Sequence, residues 1–411
     1  MAPIRTAILH TAALLACGTA AAQTPSAGSA PPAPAAASAP AATGPVLRPD
    51  TTARFIRFET PRGDWSAPMT NAPQLRFEVR VPPDARVPAP PRAFTVTMDT
   101  GSTGVVISAV DLPGYSRNEE ARPANEGWEY LSSSKRLWIG HWVVRDVVFS
   151  PGSGEVVARV PVLAVEKEMI CPGWNEKANR PDCANPTQTT ESPPGIAYMG
   201  VGFGREHDGQ AQGTPDKNPL LNIAEIDGQP VAKGSMHGGY VVTKHGLHAG
   251  LTPANAEGFR SVKLQPGSLL ANGERASSDP RDWQQATMAV SVDGGAPETG
   301  PVLVDTGIAQ MYLTVADPAA LPTAQIPNPS RRGRTTTGLK DGTRVQVMFP
   351  GAQSPVAEYD FRVGDAAAPQ SVLVNSPGRP AFVNTGRHML RQFDVLFDAE
   401  GGWYGLRPSR R

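Results

Sequence analysis

The stretch Phe94–Ser108, FTVTMDTGSTGVVIS, joins two apolar segments through the triplet Asp-Thr-Gly. The same order returns at Val302–Val315, VLVDTGIAQMYLTV. With ordinary frequencies of Asp and Thr, a chance Asp-Thr-Gly is expected about 0.1 times in a chain of this length. Two ordinary β-turns are the alternative interpretation, because Asp and Gly are common turn formers. Turn chemistry alone does not demand matching apolar segments on both sides, so we interpret the recurrence as a functional feature.

The sequence around the two triplets is typical of short strands. Residues 75–81, LRFEVRV, alternate apolar and polar side chains with the period of a half-buried strand. Residues 137–149 and 156–165 are rich in β-branched and aromatic residues and are bounded by Gly and Pro. The chain contains 43 Pro and 41 Gly, and outside residues 220–226 no segment keeps a helical apolar period beyond two turns. The sequence therefore predicts an all-β fold class.

Charge and hydropathy exclude two classes of partner. Lys plus Arg number 38 and Asp plus Glu number 38, so the formal net charge is zero. Nucleic-acid binders normally show a basic excess or a basic stripe, and only the short tail Arg407–Arg411 is basic here. No apolar run reaches the roughly 18 residues that a membrane span requires. We expect neither a nucleic-acid partner nor a membrane span.

The N-terminus has the features of an export signal. Met1–Arg5 is positively charged, and residues 6–16 are mostly apolar. Ala20–Ala22 forms a small-x-small site for signal peptidase, which predicts a signal peptide over residues 1–22. Leu14–Cys17 resembles a bacterial lipobox, which would instead attach a lipid anchor to Cys17. Both alternatives predict an exported protein that is periplasmic, secreted or lipid-anchored in the bacterial envelope.

The remainder of the chain divides by composition. Residues 23–50 are rich in Ala, Pro and Ser and cannot bury enough apolar surface to fold, so they indicate a linker. About 360 residues follow, which is enough for two lobes by the usual size of domains. We place the N-terminal lobe at residues 51–235 and the C-terminal lobe at residues 236–411, with one Asp-Thr-Gly in each.

Two cysteines remain after either processing event. Cys171 and Cys183 form an even count, which suits the oxidising compartment that the export signal predicts. We expect a disulfide between them. The alternative is a pair of unpaired buried thiols.

Two aspartates that meet across a cleft can act together as a general acid and a general base. Adjacent like charges cannot both ionise, so the two carboxyl groups share one proton. The ionised carboxylate takes a proton from a water molecule, and the protonated carboxyl group donates to a substrate carbonyl oxygen. Such a pair needs neither a metal ion nor a cofactor, and we expect none.

Four stretches resemble the pepsin-like aspartic proteases, over most of residues 75–411. Phe94–Ser108 and Val302–Val315 look like the two active-site loops of that family. Asp282–Ala286 resembles the strand that enters its second lobe, and Gly386–Pro408 resembles its closing segment. The resemblance implies a bilobal fold, in which two β-barrel-like lobes hold the active-site cleft between them.

The resemblance also implies roles for individual residues. Asp99 and Asp305 would form the catalytic dyad, and Ser102 would donate to the outer oxygen of Asp99. Tyr130, before a Ser-rich turn, is the candidate for the tyrosine of the flap; an ordinary hairpin tyrosine is the alternative. The active-site loops would be supported by Thr100, Gly101, Ser102, Thr306 and Gly307.

The sequence departs from the family pattern in two places. After the second triplet the family carries hydroxyl residues, whereas Ile308 and Ala309 stand here. Asp305 is therefore expected to lack one donor to its charged form, which would raise its pKa. Asn384–Gly386 lacks the apolar pair that supports the second loop, whereas Tyr198–Gly200 is interpreted as the apolar support of the first loop.

The sequence as a whole favours an exported aspartic endopeptidase that acts on peptide or protein substrates and is a monomer. The alternative is a catalytically silent binding or inhibitor module with the same fold. Two intact Asp-Thr-Gly triplets favour catalysis, whereas the departures at Ile308, Ala309 and Asn384 favour the silent module. One scaffold hosts either role, so the fold alone does not decide between them.

Overall fold

A computed structural model describes residues 44–59, 67–83, 88–150, 152, 154–175, 180–206, 210–267, 279–329 and 333–409. The predicted signal peptide at residues 1–22, Cys17 and most of the predicted linker lie outside these residues. In the described part of the chain, no helix is long and apolar enough to cross a membrane. The division into lobes at residues 235 and 236 stays a prediction.

The described residues fold almost entirely into strands, which confirms the predicted all-β class. The two α-helices have one turn each, α1 (Arg117–Glu120) and α2 (Pro253–Ala256). Short 3-10 helices span Pro123–Asn125, Pro215–Lys217, Pro219–Leu221, Pro318–Ala320 and Arg387–Arg391. The strands are β1 (Arg54–Arg57), β2 (Gln74–Arg80), β3 (Arg92–Asp99), β4 (Thr103–Ser108), β5 (Glu126–Leu131), β6 (Arg136–Phe149), β7 (Val156–Ile170), β8 (Gln188–Glu191), β9 (Ala197–Val201), β10 (Ile223–Ile226), β11 (Gln229–Pro230), β12 (His237–Val242), β13 (Gly246–Leu251), β14 (Arg260–Lys263), β15 (Thr287–Val292), β16 (Glu298–Leu303), β17 (Met311–Thr314), β18 (Thr323–Pro327), β19 (Thr335–Leu339), β20 (Arg344–Phe349), β21 (Ala357–Arg362), β22 (Val372–Val374), β23 (Phe382–Asn384), β24 (Phe393–Asp398) and β25 (Trp403–Pro408).

The strands form three sheets. The first-lobe sheet has ten strands in the order β11-β10-β7-β4-β9-β3-β2-β6-β5, with β8 paired to β7. Since β6 also pairs with β7, six of these strands form a closed ring, which leaves those strands without free edges. The second-lobe sheet has nine strands in the order β18-β19-β22-β17-β23-β16-β15-β20-β21. The predicted bilobal architecture is thus confirmed, with a closed first lobe and an open second lobe.

A third, six-stranded sheet connects the lobes, in the order β1-β13-β12-β24-β25-β14. It combines β1, which precedes the first-lobe sheet in sequence, with β12, β13 and β14 before the second-lobe sheet and β24 and β25 after it. Buried side chains from all three sheets belong to one continuous core, to which Leu75, Tyr240 and Met288 contribute. The lobes are therefore anchored to a common apolar layer.

The alternation of residue types explains the burial of individual strands. In β2, Leu75, Phe77 and Val79 are fully buried, and the polar side chains between them face the other side of the sheet. In β7, by contrast, consecutive apolar residues from Val162 to Val165 are all buried, because other strands cover both of its faces.

The same strand arrangement surrounds each Asp-Thr-Gly loop. In the first lobe the loop connects β3 to β4, and β9 lies between them, parallel to β3 and antiparallel to β4. In the second lobe the loop connects β16 to β17, and β23 lies between them in the same two orientations. The two Asp-Thr-Gly stretches therefore form two copies of the same strand–loop–strand unit. In each copy, a strand from later in the chain lies between the two strands that the loop connects.

The predicted disulfide is confirmed: Cys171 and Cys183 are bonded to each other. Cys171 follows directly after β7 and is buried beside Tyr130, Leu137 and Met169. The bond therefore lies against the turn end of the β5–β6 hairpin, where the Cys171 amide also donates to the Lys135 carbonyl at 2.7 Å.

Replacing both cysteines by Ala is expected to lower the free energy of unfolding by about 3 kcal/mol, since the bond closes a loop of 12 residues. Urea unfolding of the oxidised wild type and of the double variant measures the difference. Reduced wild type is the control, and equal unfolding midpoints for all three proteins would contradict the prediction.

Candidate active site

The two Asp-Thr-Gly loops are joined by reciprocal hydrogen bonds between their threonines. The Thr100 amide donates to Thr306 Oγ1 at 3.0 Å, and the Thr306 amide donates to Thr100 Oγ1 at 3.1 Å. Each hydroxyl then donates across the interface to a backbone carbonyl, Thr100 to Val304 at 2.6 Å and Thr306 to Met98 at 2.8 Å. All four bonds are buried, so they fix the position of one loop relative to the other.

These bonds bring Asp99 and Asp305 together. Their side chains are 5% and 8% exposed, and the two carboxyl groups lie close enough to share one backbone donor. The Gly101 amide donates to Asp99 Oδ1 at 2.7 Å. The Gly307 amide lies between the aspartates and donates to Oδ1 of both, at 3.1 Å to Asp99 and 3.0 Å to Asp305. The inner oxygens of the pair are thus held by backbone donors.

The glycines of the triplets are required by this close approach. A Cβ atom on Gly101 would lie 2.6 Å from Cγ of Asp305, and one on Gly307 would lie 2.7 Å from Oδ1 of Asp99. Both distances are shorter than any ordinary contact, and no flexible group could move aside without displacing a carboxyl group. Each lobe's glycine therefore makes room for the other lobe's aspartate.

The outer oxygens are held by side chains. Ser102 Oγ donates to Asp99 Oδ2 at 3.0 Å, as the resemblance implied, and the Tyr198 hydroxyl donates to the same oxygen. On the other side, Asn384 Nδ2 donates to Asp305 Oδ2 at 2.7 Å. Asp305 therefore has a side-chain donor although Ile308 replaces the expected hydroxyl.

Sequence reasoning missed two of these donors. Tyr198 was interpreted as part of an apolar support, and Asn384 only as a departure that weakened the second loop. The sequence feature that could have identified them is their common position: Tyr198 stands two residues before Gly200, and Asn384 stands two residues before Gly386. A polar side chain at a position that packs beneath an acidic loop indicates a hydrogen-bond partner for that loop.

Burial and mutual repulsion govern the ionisation of the pair. Burial, followed by the charge of Asp99, raises the pKa of Asp305 to about 8, and the Asn384 amide opposes part of this rise. Burial also raises the pKa of the Tyr198 hydroxyl well above its usual value, with the charge of Asp99 adding to the effect. At neutral pH one carboxyl group of the pair is therefore protonated, while Tyr198 remains a donor.

The aspartates lie at the floor of an open cavity of about 680 Å³. Apart from the pair, the charged side chains among its described lining residues are Lys135 and Arg205. The first lobe and the β5–β6 hairpin contribute one wall, and the second lobe contributes the other. The remaining lining residues include Leu131, Ser132, Ser133, Tyr198, Gln210, Ile308, Tyr312, Asn328, Thr336, Leu373, Asn375 and Phe382.

Tyr130, the candidate for the flap, lines this cavity from the β5–β6 hairpin. Its hydroxyl donates to the Cys171 carbonyl at 3.1 Å, and its ring packs against Trp174 with 4.6 Å between centroids. These contacts anchor the side chain to the segment that the disulfide closes. A role for Tyr130 in covering a substrate stays a prediction.

A second buried acid lies behind the first loop. Glu129 is almost fully buried, and burial raises its pKa to about 8, opposed by the charges of Arg205 and Lys217. Its Oε1 has no hydrogen-bond partner. No group of three or more His, Cys, Asp or Glu residues within the described ranges is arranged to hold a metal ion.

Comparison with solved structures finds 382 chains with a similar fold. No protein-family profile and no curated protein sequence matches the chain. The fold is similar to the crystal structure of aspartic proteinase from Irpex lacteus, with a TM-score of 0.42. The two sequences are 11% identical over 87% of this chain and 98% of that chain. A likeness of this degree concerns the fold and carries no information about activity.

The substitution Asp305→Asn is expected to raise the melting temperature at pH 7.5 and to have less effect at pH 4. The pKa of Asp305 is higher in the folded state than its usual 3.8. The folded protein therefore binds more protons between about pH 4 and 8, and wild-type stability falls as the pH rises through that window. Asn removes this titration and the repulsion from Asp99.

Calorimetry of both proteins at several pH values between 4 and 8 measures the difference. The exposed Asp341→Asn variant is the matched control, because its side chain lies outside the core. An Asp305→Asn protein that is less stable than the wild type at both ends of the range would contradict the assignment.

Replacing Thr100 by Val is expected to lower the free energy of unfolding by about 1–3 kcal/mol. The methyl group fills the same volume but leaves the Thr306 amide and the Val304 carbonyl without their buried partner. The conservative variant Thr100→Ser keeps the hydroxyl and should lose less. Urea unfolding of the three proteins is the measurement, and equal losses for Val and Ser would argue against the reciprocal bonds.

Proposed function

We propose that this protein is an aspartic endopeptidase whose dyad is Asp99 and Asp305. One observation carries the proposal: two buried carboxyl groups from different lobes line an open cavity and accept hydrogen bonds from the same Gly307 amide. Such an arrangement is costly for folding, because burial and like charge both oppose ionisation. Ionisable groups that are buried at such a cost to stability, and that line a cleft, indicate a catalytic function more often than a structural one.

The proposed reaction uses a water molecule as nucleophile. The ionised aspartate removes a proton from the water, while the protonated aspartate donates its proton to the carbonyl oxygen of the scissile peptide bond. The new carbon–oxygen bond gives a tetrahedral diol. Transfer of the proton gained from the water to the amide nitrogen then breaks the carbon–nitrogen bond, and the diol hydroxyl returns a proton to the other carboxyl group. The dyad ends with one proton, as it began.

An extended peptide fits the cavity as substrate. The cavity runs from the β5–β6 hairpin to the second-lobe strands, and many of its described lining residues are neutral donors and acceptors, such as Ser132, Asn328, Thr336 and Asn375. Extended backbones pair with such groups along their length, while alternate side chains point into pockets on either side. The disulfide is compatible with an oxidising compartment, which supports action outside the cytoplasm.

The contact at Asn384 weakens the case for a silent module. Two departures from the family pattern motivated that alternative: the absence of hydroxyl residues at Ile308 and Ala309, and the polar Asn384. Since Asn384 itself donates to Asp305, the second departure supplies the hydrogen bond that the first one removes.

Cleavage of a denatured protein substrate between pH 3 and 8 tests the proposal directly. New termini identified by mass spectrometry should appear with the wild type and be lost with Asp99→Ala and with Asp305→Ala. The exposed Asp341→Asn variant should retain wild-type activity. Cleavage that persists in either dyad variant, or its absence in the wild type at every pH, would refute the proposal.

The activity, measured as kcat/KM, is expected to extend to neutral pH. Catalysis needs a dyad with one proton, and the upper ionisation of the pair, raised to about 8, is that of Asp305. Activity should therefore fall as the pH rises through about 8, when both carboxyl groups become charged. Rates measured in steps from pH 3 to 9 provide the test, and activity confined to below pH 5 would contradict it.

A further inference from the structure

We infer that Tyr198 and Asn384 are equivalent positioning residues, one in each lobe, which hold the outer oxygens of the two aspartates so that Asp99 carries the charge and Asp305 the proton. The inference rests on the proposed function and assigns the two roles within its dyad. The evidence begins with β9 and β23, each of which lies between the two strands that an Asp-Thr-Gly loop connects.

The equivalence follows from strand register. Gly200 in β9 lies opposite Asp99, so Tyr198 stands two residues before the aspartate's partner. In β23, Asn384 lies opposite Leu303, and continuing this register by two residues brings Gly386 opposite Asp305. Tyr198 and Asn384 therefore occupy the same position in the repeated unit. Each one donates to Oδ2 of its own lobe's aspartate.

The contacts of Asn384 fix its orientation. Its Oδ1 accepts a hydrogen bond from the Gly386 amide at 3.1 Å, so its Nδ2 must face Asp305. An amide nitrogen donates and cannot accept, so Asn384 is a donor to Asp305 in either protonation state. The Tyr198 ring is held by an edge contact with Trp138, with 5.8 Å between centroids. Neither side chain is free to turn away from its carboxyl group.

The two aspartates differ in the number of donors that they receive. Asp99 accepts from Gly101, Gly307, Ser102 and Tyr198. Asp305 accepts from Gly307 and Asn384. Because hydrogen bonds from donors favour the ionised form, the better-supplied Asp99 is the carboxylate and Asp305 is the acid. Asp99 would then be the base toward water, and Asp305 the proton donor to the substrate carbonyl.

The surrounding charges are few. Asp99 faces Asp305 and, behind its loop, Glu129. Asp305 faces the cations Arg205 and Arg387 as well as Asp99. Lys217 acts on Glu129. The substitutions at positions 198, 308 and 384 alter none of these groups, so the surrounding charges are the same in each of those variants.

Each substitution is expected to move a different proton-binding step. Removing the donor at 384 with Asn384→Leu leaves the Asp305 carboxylate less stabilised, so the dyad should lose its last proton at a higher pH, by about one pH unit. Tyr198→Phe removes a donor from the Asp99 carboxylate, so the dyad should take up its second proton at a higher pH, by a similar amount. Each variant should leave the other step unchanged.

A second substitution provides a rescue. Ile308 stands three residues after Asp305, as Ser102 stands three residues after Asp99. A hydroxyl at 308 would therefore reach Asp305 Oδ2 as Ser102 reaches Asp99 Oδ2. The double variant Asn384→Leu with Ile308→Ser should return the upper step toward its wild-type pH, which a purely structural role for Asn384 does not predict.

The experiment follows the carboxyl carbons of the full chain by NMR with ¹³C-labelled aspartate from pH 3 to 10, without substrate. Asp99→Asn and Asp305→Asn assign the two signals. Asn375→Leu and Tyr312→Phe are the matched controls, because these side chains line the cavity but contact Thr314 and Gln310 instead of the dyad. Both controls should leave the two steps unchanged. If Asn384→Leu does not fold, Asn384→Ala takes its place.

The outcomes separate this inference from the proposed function. Selective shifts with rescue support the positioning roles, even if the protein cleaves no substrate and the endopeptidase proposal fails. The positioning roles are overturned if either variant moves both steps together or moves neither step. They are also overturned if Ile308→Ser does not rescue Asn384→Leu. Each of these results holds even if the protein is an active endopeptidase. In an active enzyme the same shifts should appear in the acid and alkaline limbs of the pH profile of kcat/KM.

Discussion

The reciprocal hydrogen bonds between Thr100 and Thr306 are the constraint on which the site depends. Two ionised carboxyl groups repel each other and resist burial, so other contacts must hold the pair together. Four buried bonds between the loops, made by two threonines and the backbone, oppose that repulsion. The free energy for the arrangement comes from the three sheets behind the loops, which share one apolar core.

The site is symmetric in backbone and asymmetric in side chains. Each lobe offers the same strand–loop–strand unit with an inserted strand, and each inserted strand offers one donor to the outer oxygen of an aspartate. The donors differ, however, since a tyrosine and a serine serve Asp99, whereas an asparagine alone serves Asp305. A repeated scaffold thus holds two chemically identical groups in unequal surroundings, which is what separates a base from an acid.

Asn384 shows why a site cannot be evaluated one position at a time. Ile308 offers no hydroxyl to Asp305 from its own loop, and Asn384 supplies a donor from β23 instead. Their relation was invisible because they are distant in sequence and meet only through the pairing of β16 with β23. The raised pKa of Asp305 follows mainly from burial and from Asp99, and only the folded chain shows both.

Strand period, turn chemistry and cysteine count were enough to predict the all-β class, the two Asp-Thr-Gly loops and the disulfide between Cys171 and Cys183, because these signals depend on residue type and not on which strands pair. Tertiary structure decided which groups surround the aspartates. Tyr198, Asn384 and the buried Glu129 lie on strands far from the triplets in sequence, and the strand order that brings them close arises from packing. Residue type predicts what a side chain is able to do, whereas only the paired strands determine which partner it meets.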